Sequence, residues 1–228
     1  MPTSAIEQIP VIMRVVSSLS EQHQHPLRIL DCGIGNGRYG FLIRDSLDVF
    51  HEPQNWNHTI DGIEVFSAYI TPAHRYVYSS IRENNIADVL PSIANNTYDL
   101  ALMIDVLEHF DKMEGTDVLR QLARVAKVCI VATPQYFFEQ NDVYGNEAEI
   151  HRSVWIEKDF LIDSMRVTSL STIAQQVFVL GGPASFHKEL RRWKLRQKVR
   201  GLLPVSVGAY VFEQRERKQG RRDSKATN

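Results

Sequence analysis

The amino-acid sequence predicts an α/β fold in which helices cover both faces of a mostly parallel sheet. Apolar segments typical of strands alternate with amphipathic helical segments along most of the chain. Tyr98–Asp105 is an apolar run that ends in an acid, as expected of a parallel strand buried on both faces. Arg28–Gly40 has the pattern of a strand, a glycine turn and a helix, in which backbone N–H groups can approach a nucleotide-like ligand.

The length and composition limit the classes of protein to consider. The 228 residues suffice for one domain with a full core, or for one domain with an appendage. No apolar run approaches the ~20 residues that span a bilayer, and the first residues do not resemble a secretory signal. Cys32 and Cys129 fall in predicted strands and lack metal-ligand spacing, which indicates reduced, buried thiols. We therefore expect a cytoplasmic globular protein.

The helices and strands of the first half follow the apolar periodicity. Apolar residues on one helical face predict a lead-in helix over Ser4–Leu19, and Pro91 limits the helix around Ile86–Ile93. The other predicted elements are a strand that ends at Asp31, a helix Tyr39–Leu47, a strand Thr59–Val65 and a short third strand Tyr76–Tyr78.

The second half continues the alternation after the strand Tyr98–Asp105. Its predicted elements are a helix around Val118–Val125, a strand Val128–Ala132, a helix Ile156–Ser164 and a hairpin of Arg166–Ser169 with Gln176–Leu180. Val205–Phe212 is an alternative last strand. The chain thus divides into an N-terminal helix (1–26), a ligand-binding domain (27–182), a C-terminal extension (183–213) and a polar tail (214–228) that we expect to be disordered.

The formal net charge of −1 conceals an asymmetry. From His187 to the end there are 13 Lys and Arg against 4 Asp and Glu, so the C-terminal extension is a basic helical segment. Phe186, Leu190 and Trp193 fall on one side of its helix. Three interpretations stay open: a solvated helix face, an anionic membrane surface, and a nucleic acid. Nucleic acid is the least favoured, because no recognition module or series of base-stacking aromatic residues accompanies the charge.

The glycine turn and two acids indicate the type of ligand. Gly35–Gly40 satisfies the Gly-x-Gly-x-x-Gly fingerprint of dinucleotide sites, which alone is a weak signal. Asp31 precedes the turn by two residues, where a carboxylate can meet an ammonium group. Glu64 ends the second strand, where a carboxylate can accept both hydroxyls of a ribose. No Tyr-x-x-x-Lys pair or other set for hydride transfer is present, so a nicotinamide dehydrogenase is the weakest alternative.

These motifs, together with Asp105-Val106-Leu107-Glu108-His109-Phe110, resemble the class I S-adenosylmethionine-dependent methyltransferases over residues 28–180. Gly37–Gly40 and His151–Trp155 are similar to methyltransferases of bacterial biosynthetic and envelope-sugar gene clusters. The resemblance implies a Rossmann-like three-layer sandwich with a seven-stranded, mostly parallel sheet and one antiparallel strand. It also implies that S-adenosylmethionine lies across the carboxyl ends of the early strands.

The resemblance further implies roles for single residues. Asp31 and the turn would hold the methionine end of the cofactor, and Glu64 would hold the ribose. Ser80 and Ile81 would border the adenine. The remaining cofactor residues on this reading are Gly33, Gly35, Gly37, Tyr39 and Asp105. The alternative for Asp31 and Glu64 is that they are strand-end acids that cap nearby helices.

Several carboxylates and histidines are expected near the acceptor. Asp105, Glu108 and His109 stand at positions i, i+3 and i+4, so a helical turn would place them on one face. His151 follows the fifth strand, whose carboxyl end faces the same cleft. This set suits Mg²⁺ or a transition metal, and its order is similar to that of metal-dependent ubiquinone-pathway and small-RNA 2′-O-methyltransferases. His151 as a metal-free base and purely structural histidines are the two alternatives.

We therefore expect an enzyme that O-methylates a small-molecule or glycan-like acceptor, with Tyr136–Phe138 in the acceptor wall. The alternatives are an RNA 2′-O-methyltransferase that uses a divalent metal, and a non-catalytic module that only binds the cofactor.

Overall fold

The computed structural model describes residues 4–48, 51–163 and 165–202. In this part of the chain, seven strands form one sheet in the order β3-β2-β1-β4-β5-β7-β6. The strands are β1 (Arg28–Cys32), β2 (Thr59–Glu64), β3 (Ser80–Glu83), β4 (Tyr98–Ile104), β5 (Ala126–Pro134), β6 (Val167–Ser169) and β7 (Gln175–Gly181). The α-helices are α1 (Ile9–Gln22), α2 (Arg38–Leu47), α3 (Pro72–Val77), α4 (Ile86–Val89), α5 (Lys112–Val125) and α6 (Ala184–Leu202).

The sheet confirms the predicted fold class. β1, β2, β3, β4 and β5 pair in parallel, and β7 runs antiparallel to both β5 and β6. All seven residues of β4 are buried, as the apolar run predicts. Ile29 in β1 lies between Ile60 of β2 and Leu100 of β4, so the carboxyl ends of these three strands meet at one edge of the sheet. That edge is where the loops can build a site.

Helices on both faces close the core. On one face α4 and α5 pack on the sheet, and Trp155, Phe160 and Phe178 belong to the same buried cluster. The rings of Phe160 and Phe178 stack with their centroids 4.0 Å apart. α1 and α2 pack against each other, and Ile12 of α1 and Ile43 of α2 are fully buried. Trp155 and Phe160 are therefore core residues.

The structure corrects two predicted elements. Tyr76 and Val77 end the helix α3 instead of forming a strand, and the third strand is Ser80–Glu83. The helix begins with Thr71 as N-cap, Pro72 in the first turn and a reciprocal bond between Thr71 and His74, and these local signals prevail over the β propensity of the aromatic residues. The predicted helix Ile156–Ser164 is a single 3₁₀ turn, Glu157–Phe160. Ser164 and the alternative strand Val205–Phe212 lie outside the described residues.

The chain divides into two compact units, and the boundary between them follows His187. The first contains the whole sheet. The second is described over residues 188–202, where it continues α6 as the predicted basic helix. Among the described helices, none is both long enough and apolar enough to cross a membrane.

Arg44 connects α2 to the segments around it. This guanidinium is 7% exposed and donates to the Asp48 carboxylate at 2.7 Å, to Val77 O at 2.9 Å and to His58 O at 2.6 Å. It also lies over the ring of Trp56, 4.6 Å from the centroid. A buried ion pair of this kind matters most when one partner is removed, because the other charge then stays buried without compensation.

Arg44→Ala is therefore expected to lower the free energy of unfolding by about 3 kcal/mol or more, measured by urea denaturation. Arg75→Ala is the matched control, since Arg75 pairs with Glu83 at a similar distance of 2.8 Å but is 60% exposed. The loss in the control is expected to stay below about 1 kcal/mol. Equal losses in the two variants would contradict a special role for Arg44.

Candidate active site

The turn after β1 is built from glycines in the left-handed region of backbone space. Gly33, Gly35 and Gly37 have φ of +77°, +50° and +76°. A Cβ on Gly33 would lie 2.4 Å from a methyl carbon of Val106, so the turn presses against the residue that follows the β4 end. A Cβ on Gly35 would meet nothing within 4 Å. The turn therefore leaves no room for a side chain at Gly33, where Val106 lies, and borders free space at Gly35.

That free space is part of one cleft of about 480 Å³, a volume typical of small-molecule sites. We call the end beside the turn the glycine end; its lining includes Gly33, Gly35, Asn36, Tyr39, Glu64, Val65, Asn85 and Ile86. We call the other end the histidine end; its lining includes Glu108, His109, Phe138, Glu149, His151 and Arg152. Ser4, Ala5, Arg38 and Asp105 also line the cleft.

Glu64 stands at the glycine end, where it was predicted. It is 4% exposed, and its two oxygens accept from Gly35 N at 2.9 Å and from Phe66 N at 3.0 Å. Burial raises the pKa of Glu64, and these backbone donors oppose the shift. Glu64 thus fixes the turn to the end of β2. Each carboxylate oxygen retains a second lone pair, so the residue can also accept ribose hydroxyls.

Asp31 is buried and does not line the cleft. The hydroxyl of Tyr78 donates to its carboxylate at 2.6 Å. Burial raises the pKa of Asp31 to about 7, the Tyr78 hydrogen bond opposes the shift, and the charge of Glu64 adds to it. The predicted contact between Asp31 and a ligand ammonium group therefore has no counterpart in the lining. Gly37 is also outside the lining. It is the N-cap of α2, and the first two residues of that helix, Arg38 and Tyr39, line the cleft instead.

Ser80 and Ile81, which the resemblance places beside an adenine, are not among the residues that line the cleft. Both lie within β3, and the exposed Ser80 donates its hydroxyl to Asp61 at 2.6 Å. The error follows from placing the third strand four residues too early. Asn85 and Ile86, which follow the true strand, line the glycine end instead.

Asp105 directly follows β4, has a φ of +54° and is bound by residues from two distant segments. Gln8, which is fully buried, donates its amide to the carboxylate at 2.9 Å. Gln175 donates to the other oxygen at 3.2 Å in the amide orientation that satisfies its neighbours. Burial raises the pKa of Asp105, and hydrogen bonds from Ser4 and Gln8 oppose the shift. No sequence pattern pointed to Gln8 or Gln175, because tertiary contacts alone bring them here.

The histidine end gathers Glu108, His109 and His151, whose ligand atoms all lie within 4.8 Å of one another. Asp105 is not in this group, which corrects the expected set of four. Leu107–His109 is a 3₁₀ turn, so the i, i+3, i+4 face of an α-helix does not form. Glu149, which was not predicted, lies close instead, with a carboxylate oxygen 3.9 Å from His109 Nε2.

Backbone carbonyls orient both imidazoles. His109 Nδ1 lies 3.2 Å from Ile150 O, and His151 Nδ1 lies 2.9 Å from Phe138 O. A carbonyl can only accept a hydrogen bond, so each Nδ1 carries the proton and each Nε2 presents a lone pair. The two rings lie 5.0 Å apart. Two imidazole rings and the Glu108 carboxyl group thus lie close together at this end.

Burial favours the neutral forms of Glu108 and His109. It raises the pKa of Glu108 well above its ordinary value, and the charges of Asp105 and Glu149 add to the shift. Burial also lowers the pKa of His109 to about 4. Glu108 is 4% exposed, and its Oε2 has no hydrogen-bond partner among the described residues. Such an atom costs about 1–3 kcal/mol unless a ligand or ion satisfies it.

Two predictions about aromatic residues have different outcomes. Phe138 lines the cleft and meets the His151 ring edge-on with centroids 4.5 Å apart. Tyr136 and Phe137 are exposed and do not line it, so only one of the three predicted aromatic residues is in the wall. Tyr39 lines the glycine end, and its buried hydroxyl has no partner within the described residues.

The strand order and the cleft at the carboxyl ends of β1, β2 and β4 define a class: the Rossmann-like fold of class I S-adenosylmethionine-dependent methyltransferases. Solved structures share this fold. The bifunctional kinase-methyltransferase WbdD superposes with a TM-score of 0.55 and 18% identity, over 78% of this chain and 40% of WbdD. This chain thus spans about two fifths of the WbdD length.

Other solved structures match at a similar level. The magnesium protoporphyrin IX methyltransferase ChlM from Synechocystis PCC 6803, solved with bound S-adenosylmethionine, gives a TM-score of 0.50 and 17% identity over 77% of this chain and 80% of ChlM. An O-methyltransferase family protein from Burkholderia thailandensis gives 0.52 and 16%, over 77% of this chain and 56% of that one. At these identities the likeness shows the fold.

Among curated sequences, the uncharacterized protein MJ0638 of Methanocaldococcus jannaschii is 22% identical over 171 residues, which cover 73% of this chain and 68% of that protein. No protein-family model matches the chain.

The raised pKa of Asp31 predicts a pH-dependent stability. The folded protein holds this proton up to about pH 7, whereas the unfolded chain releases it near pH 3.8, so the free energy of unfolding falls as the pH rises through that window. Between pH 5 and pH 8 the wild type is expected to lose about 2–3 kcal/mol relative to Asp31→Asn, which cannot titrate. Urea denaturation at the two pH values measures the difference. Identical pH dependence of both proteins would refute the assignment.

Proposed function

We propose that this chain is an S-adenosylmethionine-dependent methyltransferase that methylates a hydroxyl group on a small-molecule or glycan-like acceptor. The observation that carries the proposal is the single cleft that joins the glycine turn and Glu64 to the lone pairs of His109 and His151. A nucleotide-like cofactor at one end and a hydroxyl at the other would face each other within this cleft. The methyltransferase fold of WbdD and ChlM supports the same reaction class.

The residues present fit the cofactor. The open space over Gly35 and the Glu64 carboxylate lie at the glycine end, which Tyr39 also lines. Val65 and Ile86 offer apolar walls there. When bound, the cofactor supplies the methyl group and its own leaving group. The protein then has to align the acceptor oxygen and exclude water.

A hydroxyl acceptor must lose its proton, and His151 is the best base in the cleft. Its Nε2 has a lone pair, and the Phe138 carbonyl that accepts from Nδ1 stabilises the ring after it takes the proton. His109, with its pKa lowered to about 4, is a much weaker base near neutral pH. Burial raises the pKa of Glu108 well above its ordinary value, which favours its protonated form. We assign proton removal to His151 and the shaping of the cleft to the other two.

The grouping of Glu108, His109 and His151 favours a second candidate, in which a divalent metal binds at the histidine end. Two imidazole nitrogens and one carboxylate suit a transition metal better than Mg²⁺, which prefers oxygen ligands. The metal would displace the Glu108 proton and lower the pKa of an acceptor hydroxyl. Methylation of an RNA 2′-hydroxyl is the corresponding function, and salt-sensitive RNA binding would distinguish it.

Incubation of the protein with a metabolite or glycan extract and isotopically labelled S-adenosylmethionine is expected to give a labelled, methylated product in mass spectra. Glu64→Ala should abolish both this product and binding of S-adenosylmethionine in calorimetry, because the ribose loses its acceptor and the turn its anchor. Glu83→Ala is the control, since Glu83 pairs with Glu64 in register on the neighbouring strand but lies outside the cleft lining. Undiminished binding by Glu64→Ala would refute the cofactor site.

Chelation separates the two mechanisms. Unchanged turnover in excess EDTA would exclude the metal and leave His151 as base, whereas loss of turnover with recovery on Mn²⁺ or Co²⁺ would establish it. Binding of Co²⁺ is measured in a His25→Ala background, because His23, His25 and Asp99 form a second possible metal-binding group. In that background His151→Ala should remove the remaining Co²⁺ absorbance if the metal mechanism holds.

A further inference from the structure

Two histidines and one aspartate lie together at the amino ends of the strands, at the end of the sheet opposite the cleft. Asp99 is the second residue of β4, whereas the cleft is lined by Ile104 and Asp105 at the other end of that strand. Along an extended strand, the step from Asp99 to Asp105 is about 20 Å. His23 is the C-cap of α1, and His25 lies between α1 and β1. We call His23, His25 and Asp99 the amino-end group.

We propose that the amino-end group binds Zn²⁺ through one nitrogen of each imidazole and one carboxylate oxygen of Asp99. The three ligand atoms lie within 4.8 Å of one another. A tetrahedral Zn²⁺ with bonds of about 2.0–2.1 Å holds its ligand atoms about 3.4 Å apart, so the group has to close by roughly 1 Å, and the exposed side chain of His25 can make that movement. Water completes the fourth position. The site is independent of the proposed function, since none of its residues lines the cleft.

Backbone carbonyls hold both imidazoles in the tautomer that a metal ion needs. His23 Nδ1 lies 2.8 Å from Leu19 O, and His25 Nδ1 lies 3.0 Å from Pro26 O. A carbonyl can only accept a hydrogen bond, so each Nδ1 carries the proton and each Nε2 has a lone pair. Hydrogen bonds of this kind orient the histidine ligands of metal sites. The centroids of the two rings are 5.1 Å apart, and the Nε2 atoms are therefore the two nitrogen ligands.

Asp99 supplies a negative charge that is fixed in position. It is 5% exposed, and its Oδ2 accepts from Arg28 N at 3.0 Å. Its Oδ1 accepts from Lys127 Nζ at 2.8 Å and lies 4.0 Å from His23 Nε2. Burial raises the pKa of Asp99, but the bonds from Lys127 and Arg28 N lower it further, so the net shift is downward. The carboxylate is thus ionised before a metal ion arrives, whereas burial favours the protonated form of Glu108 at the histidine end.

Lys127 competes with the ion for the same carboxylate oxygen. An ionised carboxylate has about four lone-pair sites, so Oδ1 can contact both the ammonium group and a metal ion, but the two positive charges repel each other. The side chain of Lys127 is 51% exposed and can turn towards solvent when the ion binds. Removal of the lysine charge should therefore strengthen the binding of Zn²⁺.

Calorimetric titration with zinc chloride tests the site in the full chain. A His151→Ala background removes one candidate ligand of the histidine end, so that the remaining binding reports on the amino-end group. One Zn²⁺ per chain is expected to bind in this background. His23→Ala, His25→Ala and Asp99→Asn should each weaken it at least about 10-fold, because each removes one ligand.

Two variants separate a metal site from a surface ion pair. Lys127→Met keeps the aliphatic stem but removes the charge, and it should tighten Zn²⁺ binding by about threefold. His51→Ala is the matched control and should bind Zn²⁺ as the background protein does, because His51 is exposed and belongs to neither possible metal-binding group of the described residues. Far-UV circular dichroism in EDTA checks that each variant is folded. Asp99→Asn retains an oxygen for the backbone N–H of Arg28.

Absence of Zn²⁺ binding in the folded His151→Ala protein would overturn the proposal. Full affinity in Asp99→Asn together with a loss in His25→Ala would also overturn it, because the ion would then be held by surface histidines alone. Failure of the proposed function gives a different result: the protein would bind no S-adenosylmethionine, and the ranking of these variants towards Zn²⁺ would stay the same.

Discussion

The attachment of the glycine turn to the end of β2 is the constraint on which the site depends. Gly33 N and Ile34 N both donate to Ile63 O, at 2.8 and 3.2 Å, and Gly35 N donates to Glu64. These bonds hold the backbone of the turn in positive φ, which an L side chain rarely adopts. Val106 packs against Gly33 from the other side. The ends of β1, β2 and β4 are thereby fixed to one another, and together they form the floor of the cleft.

This floor shows which parts of the molecule can be predicted from local pattern. The buried strand β4 and the turn are predictable because each depends on residues that are adjacent in sequence: seven buried positions in a row, and three glycines in five. The strand order is also largely predictable once parallel strands alternate with helices, because short right-handed connections allow only a few strand orders. The fold class and the position of Glu64 follow from these features alone.

The errors at the site have specific physical causes. Tyr76 and Val77 have β propensity, yet the cap formed by Thr71 and His74 starts a helix, and the resulting shift of the third strand moves the cleft-lining role from Ser80 and Ile81 to residues further along. The expected helical face of Asp105, Glu108 and His109 also does not form. Asp105 has a positive φ, and its carboxylate accepts a hydrogen bond from Gln8. Neither the helix cap nor the positive φ can be predicted from the periodicity of apolar residues.

The acids at both ends of the cleft share one electrostatic property. Burial is the largest cause of every shift among the acids that line the cleft: it raises the pKa of Glu64, Asp105, Glu108 and Glu149. It also lowers the pKa of His109, so the group as a whole favours its neutral forms. Any cation that enters this cleft, whether a sulfonium, an ammonium group or a metal ion, stabilises the ionised acids and gains affinity from doing so.

An anionic ligand does not gain affinity in this way, because the ionised acids of the lining would repel it. Arg152 is the arginine at the histidine end, and it stands among Glu108, Glu147 and Glu149. A neutral group has neither penalty. The electrostatics of the lining therefore favour a cationic ligand over an anionic one.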